Sequence, residues 1–216
     1  MANRLALPPL YVLLDAALLP PDPLDFLKRL MEAGARLFQY RNKTAPAREV
    51  LQAMQTLAVT ARQENVLFLA NDRPDIAWLA WADGVHLGQD DLHVAAARAI
   101  VGPDSMVGIS THNLEQFRAA AETDADYIAV GPVFETRSKA KPDPVVGLEL
   151  IREARRLTRK PIVAIGGITL ERAAGVLAAG ADSVAVISDI LAAKNPAARV
   201  KQYLEILPAA AQPAQN

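Results

Sequence analysis

Arg41 and Lys43 stand two residues apart in the run Gln39-Tyr40-Arg41-Asn42-Lys43, and an extended segment puts such residues on the same side. A guanidinium offers phosphate oxygens a planar fork and an ammonium adds a point charge, so the pair could hold a phosphate; a solvated pair at the start of a surface helix is the competing reading. Asn71-Asp72 and Gly88-Gln89-Asp90-Asp91 supply carboxylates. Asp72 and Asp91 facing a basic cluster would suit Mg²⁺, which takes one or two carboxylates together with substrate phosphate oxygens and water. The same aspartates could instead cap helices, Asp72 ahead of Arg73-Pro74 and Asp90 or Asp91 ahead of the helix through Ile100. A second anion site is expected at Ile165-Gly166-Gly167-Ile168-Thr169, where glycines and a helix N-terminus let backbone N–H groups approach a phosphate, with Ile187-Ser188 as its other half. A tight turn without a ligand is the alternative there.

The remaining residue types narrow the chemistry. There are no cysteines, which excludes a disulfide framework, a thiolate metal site and a Cys nucleophile. His86 is expected inside a strand as a paired core residue, His93 on a helix in solvent, and His112 at the rim beside Ser110; no His cluster has the spacing of a zinc site. Net charge is −1 with no basic block, which argues against nucleic acid or an anionic membrane as partner. No run reaches the roughly 20 apolar residues of a membrane span, and Leu10–Leu14 meets Asp15 without the pattern of a secretory signal. The expected location is the cytoplasm.

Those polar segments all follow short apolar runs. Candidate strands are Leu10–Asp15, Leu37–Arg41, Val66–Asn71, Gly84–Leu87, Met106–Ser110, Tyr127–Gly131, Ile162–Ile165 and Ser183–Ile187. Helix-period segments separate them, and a last one, Pro196–Leu207, closes the series. Eight βα units imply parallel pairing through crossovers. The count and the length favour one (β/α)₈ TIM barrel over residues 10–207, rather than an open doubly wound sheet. No Gly-x-Gly-x-x-Gly turn follows the first strand to support the latter. Residues 1–9 and 208–216, rich in Pro, Ala and Gln, are expected to be mobile, no internal repeat stands out, and Glu135–Val146 is the candidate lid. Barrels carry their chemistry at the C-terminal strand ends. One barrel with two phosphate sites describes a transferase joining two phosphorylated small molecules, or a mutase or isomerase of a bisphosphate.

Taken in order, the rim segments resemble the thiamine phosphate synthase family. The matching stretches are Gln39-Tyr40-Arg41-Asn42-Lys43, Asn71-Asp72, Asp83-Gly84-Val85-His86-Leu87-Gly88-Gln89-Asp90-Asp91, Gly108-Ile109-Ser110, Gly131-Pro132-Val133-Phe134, Ile165-Gly166-Gly167-Ile168 and Val186-Ile187-Ser188. The resemblance implies that Gln39, Arg41, Lys43, Asn71, Ser110 and Lys139 hold a hydroxymethylpyrimidine diphosphate, with Tyr40 and Asn42 in the same binding segment. It implies Asp72 and Asp91, rather than Asp90, as Mg²⁺ ligands. Thr136, Ser138, Gly167, Ile187 and Ser188 would bind a thiazole phosphate, with Arg137 between them. Arg41, Lys43, Ser110 and Lys139 would form the catalytic group. The implied reaction ionises the pyrimidine diphosphate to a carbocation stabilised by the ring amino group, and the thiazole nitrogen captures it. Partners would be these small molecules, with assembly into a homo-oligomer left open. Glu135 stands where the family usually has Pro, and a similar Glu occurs in related thiazole tautomerases. A tautomerase with a rim base such as His112, or a barrel that binds thiamine phosphates without turnover, are the competing readings.

Overall fold

The computed structural model describes residues 6–136 and 143–207. Eight strands, β1 (Leu10–Asp15), β2 (Leu37–Arg41), β3 (Leu67–Asn71), β4 (Gly84–Leu87), β5 (Met106–Thr111), β6 (Tyr127–Val130), β7 (Ile162–Ile165) and β8 (Ser183–Val186), pair in chain order. All are parallel, and β8 returns to β1 to close the barrel. Around it lie α1 (Pro23–Glu32), α2 (Ala47–Gln63), α3 (Pro74–Leu79), α4 (Val94–Val101), α5 (Leu114–Ala121), α6 (Gly147–Leu157), α7 (Leu170–Ala178), α8 (Ser188–Leu191) and α9 (Pro196–Ile206). No helix among the described residues is long and apolar enough to cross a membrane. The short α8 was not expected from the sequence, since four residues are too few for a helical period to register.

The strands are apolar on both faces because each is covered twice. Tyr11, Leu13, Leu37, Leu69, Met106, Tyr127, Ala129, Val163 and Ala185 point into the barrel. Val12, Leu14, Phe38, Phe68, Val85, Val107 and Ile128, one residue out of phase, pack under the helices. Several helices start where a side chain takes the first free N–H groups. Asp22 accepts from Leu24 N and Asp25 N, Asn113 from Gln116 N, and Asn195 from Ala198 N. Described residues of the N-terminal segment are seated rather than loose: Leu7 is buried with the interior cluster, and Val184 N donates to Pro9 O at 2.9 Å.

A three-fold repeated contact closes the bottom, where the sequence shows Ala82-Asp83-Gly84, Ala125-Asp126-Tyr127 and Ala181-Asp182-Ser183. Each aspartate immediately precedes an even-numbered strand and accepts from a backbone N–H of the odd strand before it. The pairs are Phe68 N to Asp83 Oδ2 at 2.8 Å, Val107 N to Asp126 Oδ2 at 2.7 Å, and Ile162 N to Asp182 Oδ2 at 2.8 Å. An arginine from an even helix faces each one. Arg98 meets Asp126 at 2.5 Å and Arg155 meets Asp182 at 2.7 Å, while Arg62 acts on Asp83 through space. Burial nevertheless pushes the Asp83 carboxyl above the usual carboxylate range, with the Phe68 N–H and Arg62 pulling the other way. With the bottom so fastened, all C-terminal strand ends open on the opposite rim.

Replacing Asp126 by Ala leaves Val107 N–H and the Arg98 guanidinium without this acceptor. The expected loss is about 1–3 kcal/mol of unfolding free energy, read by urea denaturation. Whatever chemistry the rim carries should stay as in the parent, because the change lies at the end of the barrel away from it.

Candidate active site

At the rim, strand ends rather than helices place the charged groups. β2 points Gln39 inward and Tyr40 outward, as period-two alternation requires. Gln39 is buried inside the barrel; Tyr40 packs among the outer core residues. Arg41, the last residue of β2, turns toward β1 and pairs with Asp15, itself 6% exposed at the end of that strand. Lys43 lies beyond the strand and turns the other way, to an ion pair with Asp72 after β3. The two cations thus diverge toward opposite neighbours instead of sharing one side, because the extended backbone stops at Arg41. Asn42 makes that exit: its Oδ1 accepts from Thr44 N and Ala45 N, and its Nδ2 donates to Tyr40 Oη at 3.2 Å.

Asp72 does not cap α3. Its backbone is left-handed at φ 63°, a region Asp tolerates better than most residues, and the N-cap position falls to Arg73 without a side-chain hydrogen bond. Asp72 N donates to His86 O at 2.7 Å, which ties the end of β3 to β4. Asp91 does not cap α4 either, whose N-cap is the exposed His93. It folds back on its own turn, accepting from Gly88 N at 2.7 Å. A Cβ at Gly88 would sit 3.0 Å from that carboxylate, so a small residue suits the turn. Asp90 is exposed, whereas Asp91 lines one cavity with Asp72 and is influenced by its charge. Burial holds the Asp91 carboxyl above the ordinary carboxylate range; the Gly88 N–H opposes this, Asp72 adds to it, and Lys43 counteracts it. Lys43, Asn71, Asp72 and Asp91 line one cavity of about 250 Å³, whose outer wall includes Tyr40.

The donor set suits a hard divalent ion. A cation between the two carboxylates would offset both the burial of Asp91, the main cause of its raised position, and the smaller contribution of Asp72. Among the described residues no group of three or more His, Cys, Asp or Glu could hold a metal.

Across the mouth, Ser110 near the end of β5 meets His86 Nε2 at 2.8 Å, and Gln89 Nε2 donates to Ser110 O at 2.6 Å. His86 is the paired interior residue that its place in β4 suggests. His112 donates from Nδ1 to Gly131 O at 2.5 Å and turns Nε2 toward Asp143, 3.5 Å away. After β7, Gly166 and Gly167 both have positive φ, 99° and 62°. Packing accounts for them: a Cβ on Gly167 would lie 2.3 Å from Glu135 O, and one on Gly166 2.5 Å from Pro132 Cα. Arg172 fastens the same corner, donating to Gly167 O at 2.7 Å with its guanidinium 4.5 Å from the Phe134 ring centre. Ile187 precedes α8, and Ser188 is its first residue. Thr136 ends the described part of the segment after β6; Arg137, Ser138 and Lys139 lie outside the described residues, as does much of the expected lid.

The sequence reading passed over Asp15, which ends the first strand just as Arg41 ends the second. An acidic residue closing an apolar strand run at the rim was the available signal. It also passed over Tyr11 and Tyr127, which look like ordinary core aromatics in a strand but carry hydroxyls into the barrel.

Comparison with known proteins covers the whole of this architecture. A family model described as thiamine monophosphate synthase matches residues 10–190. The thiamine-phosphate synthase of Koribacter versatilis is 49% identical over 212 residues, covering 96% of this chain and 99% of its own. That of Anaeromyxobacter dehalogenans is 45% identical over 206 residues, covering 94% and 90%. The solved thiamine phosphate pyrophosphorylase of Pyrococcus furiosus superposes with a TM-score of 0.82 at 36% identity, covering 91% of this chain and 94% of that one. From the strand order, the rim and these matches together, the chain belongs to the thiamine monophosphate synthase family and is an enzyme of the transferase class.

Proposed function

We propose that this enzyme joins a hydroxymethylpyrimidine diphosphate to a thiazole phosphate, with Mg²⁺ on the departing diphosphate, and releases thiamine phosphate and pyrophosphate. The observation that carries the reading is the Asp72–Asp91 carboxylate pair, from adjacent strand ends, with Lys43 beside it and Arg41 one strand over. The C–O bond to the diphosphate breaks with its electron pair leaving on pyrophosphate, and the thiazole nitrogen lone pair forms the new C–N bond. When bound, Mg²⁺ supplies charge stabilisation to the departing oxygens. Asp72 and Asp91 would hold that ion; Arg41, Lys43 and Lys139 meet the remaining phosphate charge, and the ion pairs that hold Arg41 and Lys43 in place reduce the reorganisation needed as charge develops. Gln39, Asn71 and Ser110 orient the pyrimidine half. Thr136, Ser138, Gly167, Ile187 and Ser188 form the thiazole phosphate side, and the segment after β6 keeps water from the cation.

The direct test mixes the two phosphorylated halves with Mg²⁺ and follows thiamine phosphate and pyrophosphate. Chelation should abolish both products, and Asp91→Ala should lower turnover by about a hundredfold or more at unchanged circular dichroism. Isomerisation of the thiazole without coupling, or binding without either, would refute the synthase reading.

Arg41 is expected to show two separable effects. Its removal leaves Asp15 as a nearly buried carboxylate without its cation, which should lower stability by roughly 2–4 kcal/mol and turnover as well. Adding Asp15→Asn to Arg41→Ala should restore the melting temperature and leave turnover low. If activity returned with stability, Arg41 would have no part in the reaction. Lys139→Ala should lower turnover with the melting temperature unchanged.

A further inference from the structure

Gln39 and Ser110 stand on strands three apart, yet a continuous chain of side-chain hydrogen bonds joins them through the barrel interior. Gln39 Nε2 lies 2.7 Å from Tyr11 Oη, and Tyr11 Oη lies 3.3 Å from Tyr127 Oη. Tyr127 Oη is 2.9 Å from His86 Nδ1, and His86 Nε2 is 2.8 Å from Ser110 Oγ. Gln39, Tyr11 and Tyr127 are each 1% exposed, and His86 9%. The rings are set edge to face between the tyrosines, at 80°, and nearly parallel between Tyr127 and His86, at 19°. The place of Tyr127 is made by a glycine: a Cβ on Gly108 would lie 2.0 Å from its Cζ and 2.4 Å from its hydroxyl.

Each link has few protons to place, so the chain has a direction. An amide nitrogen only donates, so Tyr11 accepts from Gln39 and turns its own proton to Tyr127. Tyr127 accepts there and donates to His86 Nδ1. A neutral imidazole that accepts at Nδ1 carries its proton on Nε2, which then donates to Ser110 Oγ. The Ser110 proton is left for the rim. Burial raises both phenols above their usual range, so each keeps its single proton.

We infer that Tyr127 is a positioning residue: with Tyr11 it transmits the orientation of the Gln39 amide to His86, and thereby fixes Ser110 as a hydrogen-bond donor to an acceptor atom of the substrate. The inference rests on the reading of Ser110 as a substrate contact. Its converse is equally definite. With the Gln39 amide turned over, Tyr11 would donate to Oε1, every link would reverse, His86 would carry its proton on Nδ1, and Ser110 would present an acceptor.

The His86 tautomer is read without turnover, by long-range proton–nitrogen correlation on protein labelled with ¹⁵N-histidine at neutral pH, assigned by the signals lost in His86→Asn. The expected pattern is a protonated Nε2 and a bare Nδ1, giving way to a mixture in Tyr127→Phe and in Tyr11→Phe, which breaks the chain one link earlier. A protonated Nδ1 in the parent protein overturns the inference. In the coupling assay Tyr127→Phe should lower kcat about tenfold with KM little changed, the size of one lost hydrogen bond at the reacting centre. In a Ser110→Ala background the same change should alter kcat less than about twofold. Equal losses in both backgrounds would mean that Tyr127 acts through packing and would sink the proposal. Protein with the Nε2 proton but no coupling activity would count against the proposed reaction and support the orientation of the chain.

Discussion

Two carboxylates held close together against their own repulsion organise the rim of this barrel. Unit charges of like sign a few ångströms apart repel by about 4 kcal/mol at the dielectric of a protein surface, so a fold does not bring them together without compensation. Here the backbone forces the approach. Residues Asn71 and His86 are paired in register, which ends β3 and β4 at one level. The left-handed turn at Asp72 and the Gly88–Asp91 turn then direct both side chains into one cavity. The compensation is partial: Lys43 lies on one side and the Gly88 N–H on the other, while burial first, and Asp72 after it, still hold the Asp91 carboxyl above its ordinary range. The proposed Mg²⁺ would complete what these leave unfinished, and it is the pair of aspartates, more than either alone, that supports that proposal.

The two ends of the barrel answer different demands with the same residue types. At the bottom, Asp83, Asp126 and Asp182 take a backbone N–H from the preceding strand and face an arginine, and the Arg98 and Arg155 pairs are closed contacts. At the top, Asp15 and Asp72 pair with Arg41 and Lys43; the Arg41 pair is as buried as those at the bottom, whereas Lys43 remains half exposed. Aspartates at the bottom join strands; those at the top pair with the two cations that the proposed reaction assigns to phosphate. A cation already aimed needs little rearrangement as phosphate charge develops, and such preorganisation is where much of the catalytic benefit of fixed charges lies.

Much of this was legible in the residues. The starts of seven strands and the ends of five coincide with those read from the apolar runs, because strands buried on both faces leave an unbroken hydrophobic signature. The wall positions along β2 also follow from parity. What parity could not give was the behaviour of the chain after a strand stops. Arg41 and Lys43 would share a side only if the extended backbone continued, and it ends between them. Capping competes with metal binding as a reading of Asp72 and Asp91 because cap sequences and rim ligands draw on the same short polar residues; only the φ of Asp72 and the turn at Gly88 set capping aside. The glycines after β7 also meet a packing demand that the sequence does not show, since an added Cβ would strike Pro132, Phe134 and Glu135 of the preceding loop. The three Ala-Asp segments are too short to register as a repeat until strand pairing shows that each occupies the same place.

A polar interior in a barrel core calls for a physical reason, since an unpaired buried hydroxyl or amide costs more than an apolar residue of the same shape. Tyr11, Tyr127 and His86 meet that condition by pairing with one another in series, which makes them interdependent: no one of them can reorient without leaving the next without its partner. Two atoms stand outside the arrangement, Gln39 Oε1 and Ser183 Oγ, which have no hydrogen-bond partner among the described residues. Gln39 is thus the link with a choice of orientation, and the rest of the chain follows from it. Because the series ends at Ser110, a residue of the rim, the packing of the barrel centre and the polarity of the mouth are one structural variable, and Gly108 secures it by leaving room for the Tyr127 ring.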